Sequence, residues 1–119
     1  MESEIGQKDA SAGALLPGTL DLLILNTLAR GARHGHAIIR FIEQTSGEKI
    51  RVEEGALYPA LHRMEARGWV TAEPGISENK RRAKFYKLTE EGSKQLSNEN
   101  RHWNQVTEAI GRILQASAS

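Results

Sequence analysis

The sequence predicts a mainly α chain with a small β-hairpin, an α+β arrangement, closed by one long C-terminal helix. Three observations carry this. Three segments before residue 69 repeat apolar residues at helical spacing, and residues 69–88 hold two β-branched or aromatic runs around a polar stretch. A three-four apolar spacing then runs from Leu96 to Ile113. A chain of 119 residues is one domain, or one domain with an appended helix, and buries somewhat under about 70% of its unfolded surface.

Residues 1–14 mix Ser, Gly, Ala and charges without period and read as a flexible tail. The first helix follows Pro17-Gly18, with Thr19 as its N-cap, Asp21 in the first turn, and Leu20, Leu23, Ile24, Thr27 and Leu28 on one face. Gly31 ends it. A second helix runs from about Gly35 to Thr45, with Ile38, Phe41 and Ile42 inward and Gly47 as the stop. Between them and the third helix, Glu48-Lys49-Ile50-Arg51-Val52 alternates polar and apolar residues, which suits a short strand or an extended turn.

The third helix starts near Glu53 or Glu54 and closes at Gly68; Pro59 falls in its first turn or just after, where a missing N–H costs little. Leu57, Leu61 and Met64 face inward, leaving Ala56, Pro59, His62, Arg63 and Arg67 on or beside the outer face. Trp69–Glu73 and Ala83–Leu88 form a hairpin around Pro74-Gly75 and Ser77-Glu78-Asn79, whose long tip holds Lys80-Arg81-Arg82. Thr89 caps the final helix, which reaches about Gln115; some 26 residues at 1.5 Å each span about 39 Å, more than a small domain is wide. Part of it must leave the domain. Leu96, Trp103, Val106, Ile110 and Ile113 form a coiled-coil seam interrupted at Glu99, which implies a partner helix; the plain alternative is packing back onto its own domain.

Composition narrows the function. With 39% hydrophobic and 26% charged residues the chain is an ordinary globular one. No apolar run approaches the roughly 20 residues needed to span a bilayer, and Met1–Gly13 hold Glu2, Glu4 and Asp9 instead of a basic region before an apolar one, so a cytoplasmic location without membrane contact is expected. The absence of Cys removes disulfides and sulfur-ligated zinc, and His34, His36, His62 and His102 have no ligand spacing, so no metal and no cofactor is expected. No nucleophile, base and orienter recur and no glycine-rich phosphate loop is present; an enzyme is not expected.

The net charge is only +1, but it is unevenly spread. Residues 1–50 hold five Lys or Arg against six Asp or Glu, whereas residues 80–87 hold Lys80, Arg81, Arg82, Lys84 and Lys87 with no acid. A basic face, not a basic whole, neutralises phosphates. An exposed helix followed by a basic hairpin is how a winged helix grips duplex DNA, with the helix in the major groove and the hairpin on the phosphates.

The chain resembles the PadR-like winged-helix repressors, specifically their small class with a single C-terminal dimerisation helix. Leu16-Pro17-Gly18-Thr19-Leu20, His34-Gly35, Gly55-Ala56-Leu57-Tyr58-Pro59-Ala60-Leu61-His62-Arg63-Met64-Glu65 and the run from Arg82 through Tyr86-Lys87-Leu88-Thr89 to Gly92 carry the likeness over about residues 15–92. His36 stands where the family commonly has Tyr, and Ala56 where it commonly has Thr or another small polar residue. The resemblance implies a winged helix-turn-helix over 15–88, a dimerisation helix over 89–119, and a homodimeric transcriptional repressor bound to operator DNA. It also implies a space between protomers, lined by Trp103 and Val106, that admits a flat apolar small-molecule effector. The competing reading is a winged-helix module that docks protein and not DNA.

The DNA-binding candidates are Gly55, Ala56, Tyr58, Pro59, His62 and Arg63 on the third helix, and Lys80, Arg81, Arg82 and Lys84 on the wing. Tyr58 packs one side of its ring beside Leu57 and Leu61 while its hydroxyl reaches a phosphate. His62 reads equally as a neutral surface residue or a groove contact, and Arg63 or Arg67 as a surface partner of Glu65 or Glu53 or as a DNA ligand. Only one of these arginines need touch DNA. The basic wing tip suits phosphate or minor-groove contact.

Overall fold

The computed structural model describes residues 18–118, so the expected tail over 1–14 and the Leu16-Pro17 pair lie outside the described residues. The elements are α1 (Thr19–Leu28), β1 (Arg33–His34), α2 (Gly35–Thr45), α3 (Glu54–Ala66), β2 (Val70–Ile76), β3 (Arg82–Leu88) and α4 (Glu90–Ala118). Three helices and a three-stranded antiparallel sheet of order β1-β3-β2 make a winged helix, and α4 runs out of it.

The core follows the helical spacing in part: in α1 Leu25, off the expected face, is fully buried, while Leu20 and Leu23 are only half-buried. Ile24, Leu25 and Leu28 of α1, Ile38 and Ile42 of α2, and Leu57, Ala60, Leu61 and Met64 of α3 are buried together with Val52, Val70 and Tyr86. Burying a side chain of this size contributes roughly 1.5–3 kcal/mol. Phe41 departs from the expected inward set. Its ring is half-buried, with the guanidinium carbons of Arg30 and Arg33 at 5.5 and 4.5 Å from its centroid.

Several boundaries differ from the sequence reading, each for a local reason. Gly18, not Thr19, is the N-cap of α1: its carbonyl accepts the Leu22 N–H at 3.1 Å, and it sits at φ 88, where Thr would be strained. Glu48–Val52 is a turn with a single bridging residue at Arg51 and not a strand. Gly47 and Glu48 both take positive φ, and the Glu48 and Gly47 amides bond back to the Glu43 and Gln44 carbonyls in a Schellman motif. The Val52 amide then donates to the Glu43 carboxylate at 3.1 Å. The strand that does join the sheet is Arg33–His34, opposite Tyr86 and Phe85.

Pro74-Gly75 lies inside β2, not in the turn, opposite Lys84 and Ala83. β2 is an edge strand, where a missing donor is tolerated, and Gly75 leaves the room that the Phe85 ring fills. The loop is consequently short, Ser77–Arg81, closed by the Ser77 amide on the Arg81 carbonyl at 2.8 Å; Arg82 already belongs to β3. Thr89 caps α4 as expected, accepting the Gly92 N–H at 2.9 Å while donating to the Gly68 carbonyl at 2.6 Å.

α4 has 29 residues, about 44 Å, and extends past the expected Gln115. Its first turns pack on α1, where Asn26 and Asn100 form a reciprocal amide pair at 2.9 and 3.2 Å, and Leu96 packs against the core of its own domain. Further on the seam is uncovered. Trp103 and Val106 are half-buried, while Ile110, Ile113 and Leu114 are exposed by 49%, 67% and 65%.

Candidate nucleic-acid interface

A groove of about 380 Å³ opens between α3, the start of α2 and the wing, lined by His34, Gly35, His36, Tyr58, His62, Arg82, Ala83, Lys84 and Tyr86. Two packing facts shape its floor. Tyr86 is fully buried beneath it, and the Tyr58 phenol lies so close over Gly35 that any side chain there would collide with the ring. Partial burial, and then the Glu54 carboxylate, push the Tyr58 hydroxyl up from its ordinary value, so it stays protonated and able to donate.

The groove brings together Tyr58 and His62 of α3 with Arg82 and Lys84 of the wing. Among the described residues no carboxylate pairs with Lys80, Arg81, Arg82 or Lys84, and all four are exposed. Lys80 and Arg81 stand on the tip, Lys80 at φ 60 in its turn. Gly55, Ala56 and Pro59 lie along α3 outside the groove lining, Gly55 and Pro59 exposed and Ala56 half-buried. Pro59 sits in the second turn and leaves the Gly55 carbonyl without its helical donor.

Arg63 reaches Asp21 of α1, Nη2 to Oδ1 at 3.0 Å, so it does not take either of the surface acids weighed as its alternative partners. Arg67 lies over the Trp69 ring at 5.2 Å. Four further contacts escaped the sequence reading. His36 meets Glu54 at 3.1 Å across the rim of the groove. His34 accepts the Ala37 N–H on Nδ1 at 3.3 Å, capping α2, and its Nε2 lies 3.1 Å from Glu78 at the wing tip. The second Glu78 oxygen accepts from Arg40 at 2.6 Å. The three ion pairs join residues 18 to 44 positions apart, and no local pattern foretells them.

The residues 24–98 match the family model described as the transcriptional regulator PadR-like family. The chain belongs to that family. Among solved structures it is similar to a transcriptional regulator from Clostridium thermocellum, at 29% identity and a TM-score of 0.72 over 80% of this chain and 92% of that one. A PadR family transcription regulator from Clostridium difficile is 27% identical, with a TM-score of 0.71 over 82% of this chain and 99% of that one. An uncharacterized protein of Lysinibacillus sphaericus is 26% identical over 85% of this chain and 93% of its own length. This PadR-like chain is accordingly a transcriptional regulator, and its α+β winged helix with a long C-terminal helix is the family's architecture. Among the described residues no helix is long and apolar enough to cross a membrane, and no three His, Asp or Glu gather as a metal site would require.

Proposed function

We propose that the protein binds operator DNA as a homodimer and represses transcription. In this reading α3 enters the major groove and β2–β3 lies along the flanking phosphates. The observation that carries it is the pair Arg82 and Lys84, without carboxylate partners, lining one groove with Tyr58 and His62, with Lys80 and Arg81 exposed on the adjoining wing tip. Phosphate contacts set register and affinity, while His62 and sequence-dependent DNA shape supply discrimination, because Ala56 offers no hydrogen bond to a base.

Self-association follows from α4. Ile110, Ile113 and Leu114 form an uncovered apolar stripe beyond the domain that a second α4 would cover, and a two-fold reader of this kind addresses successive major grooves, which lie about 34–36 Å apart. Trp103 and Val106, half-buried at the base of that stripe, supply the apolar walls for a flat effector between protomers.

A gel-shift with the duplex upstream of the protein's own gene, at two salt concentrations and with competitor DNA, tests this reading. Discrete, competitor-resistant retardation that weakens with salt is expected. Binding indifferent to sequence would reduce the role to an architectural one, and no binding at low salt would favour the protein-docking module.

A further inference from the structure

The wing carries one acid at its tip, and that acid is not idle. Glu78 lies between Ser77 and Asn79 in the turn that joins β2 to β3, and its carboxylate reaches across to α2. One oxygen meets His34 Nε2 at 3.1 Å and the other accepts from Arg40 at 2.6 Å. His34 is 93% buried by its own fold, holds the Phe85 ring edge-on at 5.3 Å, and has its Nδ1 occupied by the Ala37 amide, so its Nε2–H has one fixed direction and points at Glu78. A rigid donor therefore waits at the N-cap of α2, and the tip is fastened to it.

We propose that Glu78 is a positioning residue for DNA binding, fastening the wing tip to α2 so that Arg81 and Arg82 are held ready for phosphates. This rests on the DNA-binding reading above. An exposed carboxylate on a face meant for phosphates is otherwise a liability, since it repels the backbone. Its presence is explained when the two donors it engages, His34 and Arg40, anchor a five-residue turn whose own bonds are few: Ser77 to the Arg81 carbonyl, Lys80 to the Ser77 carbonyl, and the Arg81 amide to Ser77 Oγ. A backbone hydrogen bond within Glu78, then the His34 hydrogen bond and the Arg40 charge, hold the carboxyl at about 2, well below its ordinary value, so it stays ionised throughout the neutral range.

The test turns on a sign. Glu78→Gln removes a negative charge beside DNA but cannot satisfy both donors, because the amide presents one acceptor oxygen and an NH2 group. If charge alone mattered, the variant would bind a duplex more tightly. If Glu78 positions the wing, it binds about three- to tenfold more weakly, the cost of re-ordering one or two long side chains at the interface, and the slope of log affinity against log salt falls by about one. In the free protein, amide exchange at Ser77 and Lys80 should quicken while that of Leu61 and Met64 in the core is unchanged. Tighter or unchanged binding overturns the proposal, and so does weaker binding with unaltered exchange at the tip. Should the wild type bind no duplex at all, the DNA reading fails instead, and tip exchange in the variant alone decides whether Glu78 orders the wing.

Discussion

Gly35 and Gly92 are the two buried glycines at which a single methyl group tests the packing directly. A Cβ at Gly35 would meet the Tyr58 phenol, whereas one at Gly92 would meet the Trp69 carbonyl oxygen, which belongs to the backbone. The first obstacle can swing aside and the second cannot. Gly92→Ala is expected to cost about 2–3 kcal/mol in urea unfolding and Gly35→Ala about 1 kcal/mol, within the usual range for overpacking. Gly35→Ala should nonetheless weaken DNA binding more, since it displaces a groove side chain; the reverse order of the two stability losses would contradict this packing. At Glu78 the sign of the pH effect is fixed. Its folded value of about 2 lies below the ordinary 4.5, so its contribution is complete above about pH 5 and is lost as pH falls through 4.5 toward 2. Glu78→Gln should therefore flatten the acid dependence of tip amide exchange in that window.

At the scale of elements, the spacing of apolar residues placed α2 and α3 nearly to the residue, because the Schellman turns at Gly47 and Gly68 are written in the chain as glycines that end an apolar period. Strand limits were less legible. Pro74-Gly75 carries a turn signal that the edge position of β2 overrides, and the two-residue β1 is too short for any period to register. The groove was legible in part: Tyr58, His62, Arg82 and Lys84 were nominated from sequence and converge, while His36 enters through a packing relation that exists only after folding. Pro59 tests whether α3 tolerates a lost helical bond for function. Pro59→Ala restores a donor for the Gly55 carbonyl, and thermal unfolding should show a gain of about 1–2 kcal/mol after the more flexible unfolded chain is allowed for. A loss would mean that the ring's contacts outweigh the missing bond.

For the whole molecule, the proposed two-fold reading rests on α4. The Asn26–Asn100 pair and Leu96 fix where it leaves the domain, and beyond Val106 the side chains of Ile110, Ile113 and Leu114 present apolar surface to solvent in a single chain. Sedimentation should give a dimer for the wild type, and Ile110→Glu with Ile113→Glu should shift it to a monomer without unfolding residues 19–88; a wild-type monomer at tens of micromolar would remove the two-fold reading. Flat aromatic compounds titrated against Trp103 fluorescence, with Trp103→Phe as the control for Trp69, should quench only the first protein if an effector lodges between protomers. The most direct measurement is the salt dependence of duplex binding for the wild type beside Arg81→Ala/Arg82→Ala. The slope of log affinity against log salt should fall by roughly one to two units per protomer, from about 0.9 per phosphate contact. An unchanged slope would show that the wing does not clamp phosphates and contradict the account.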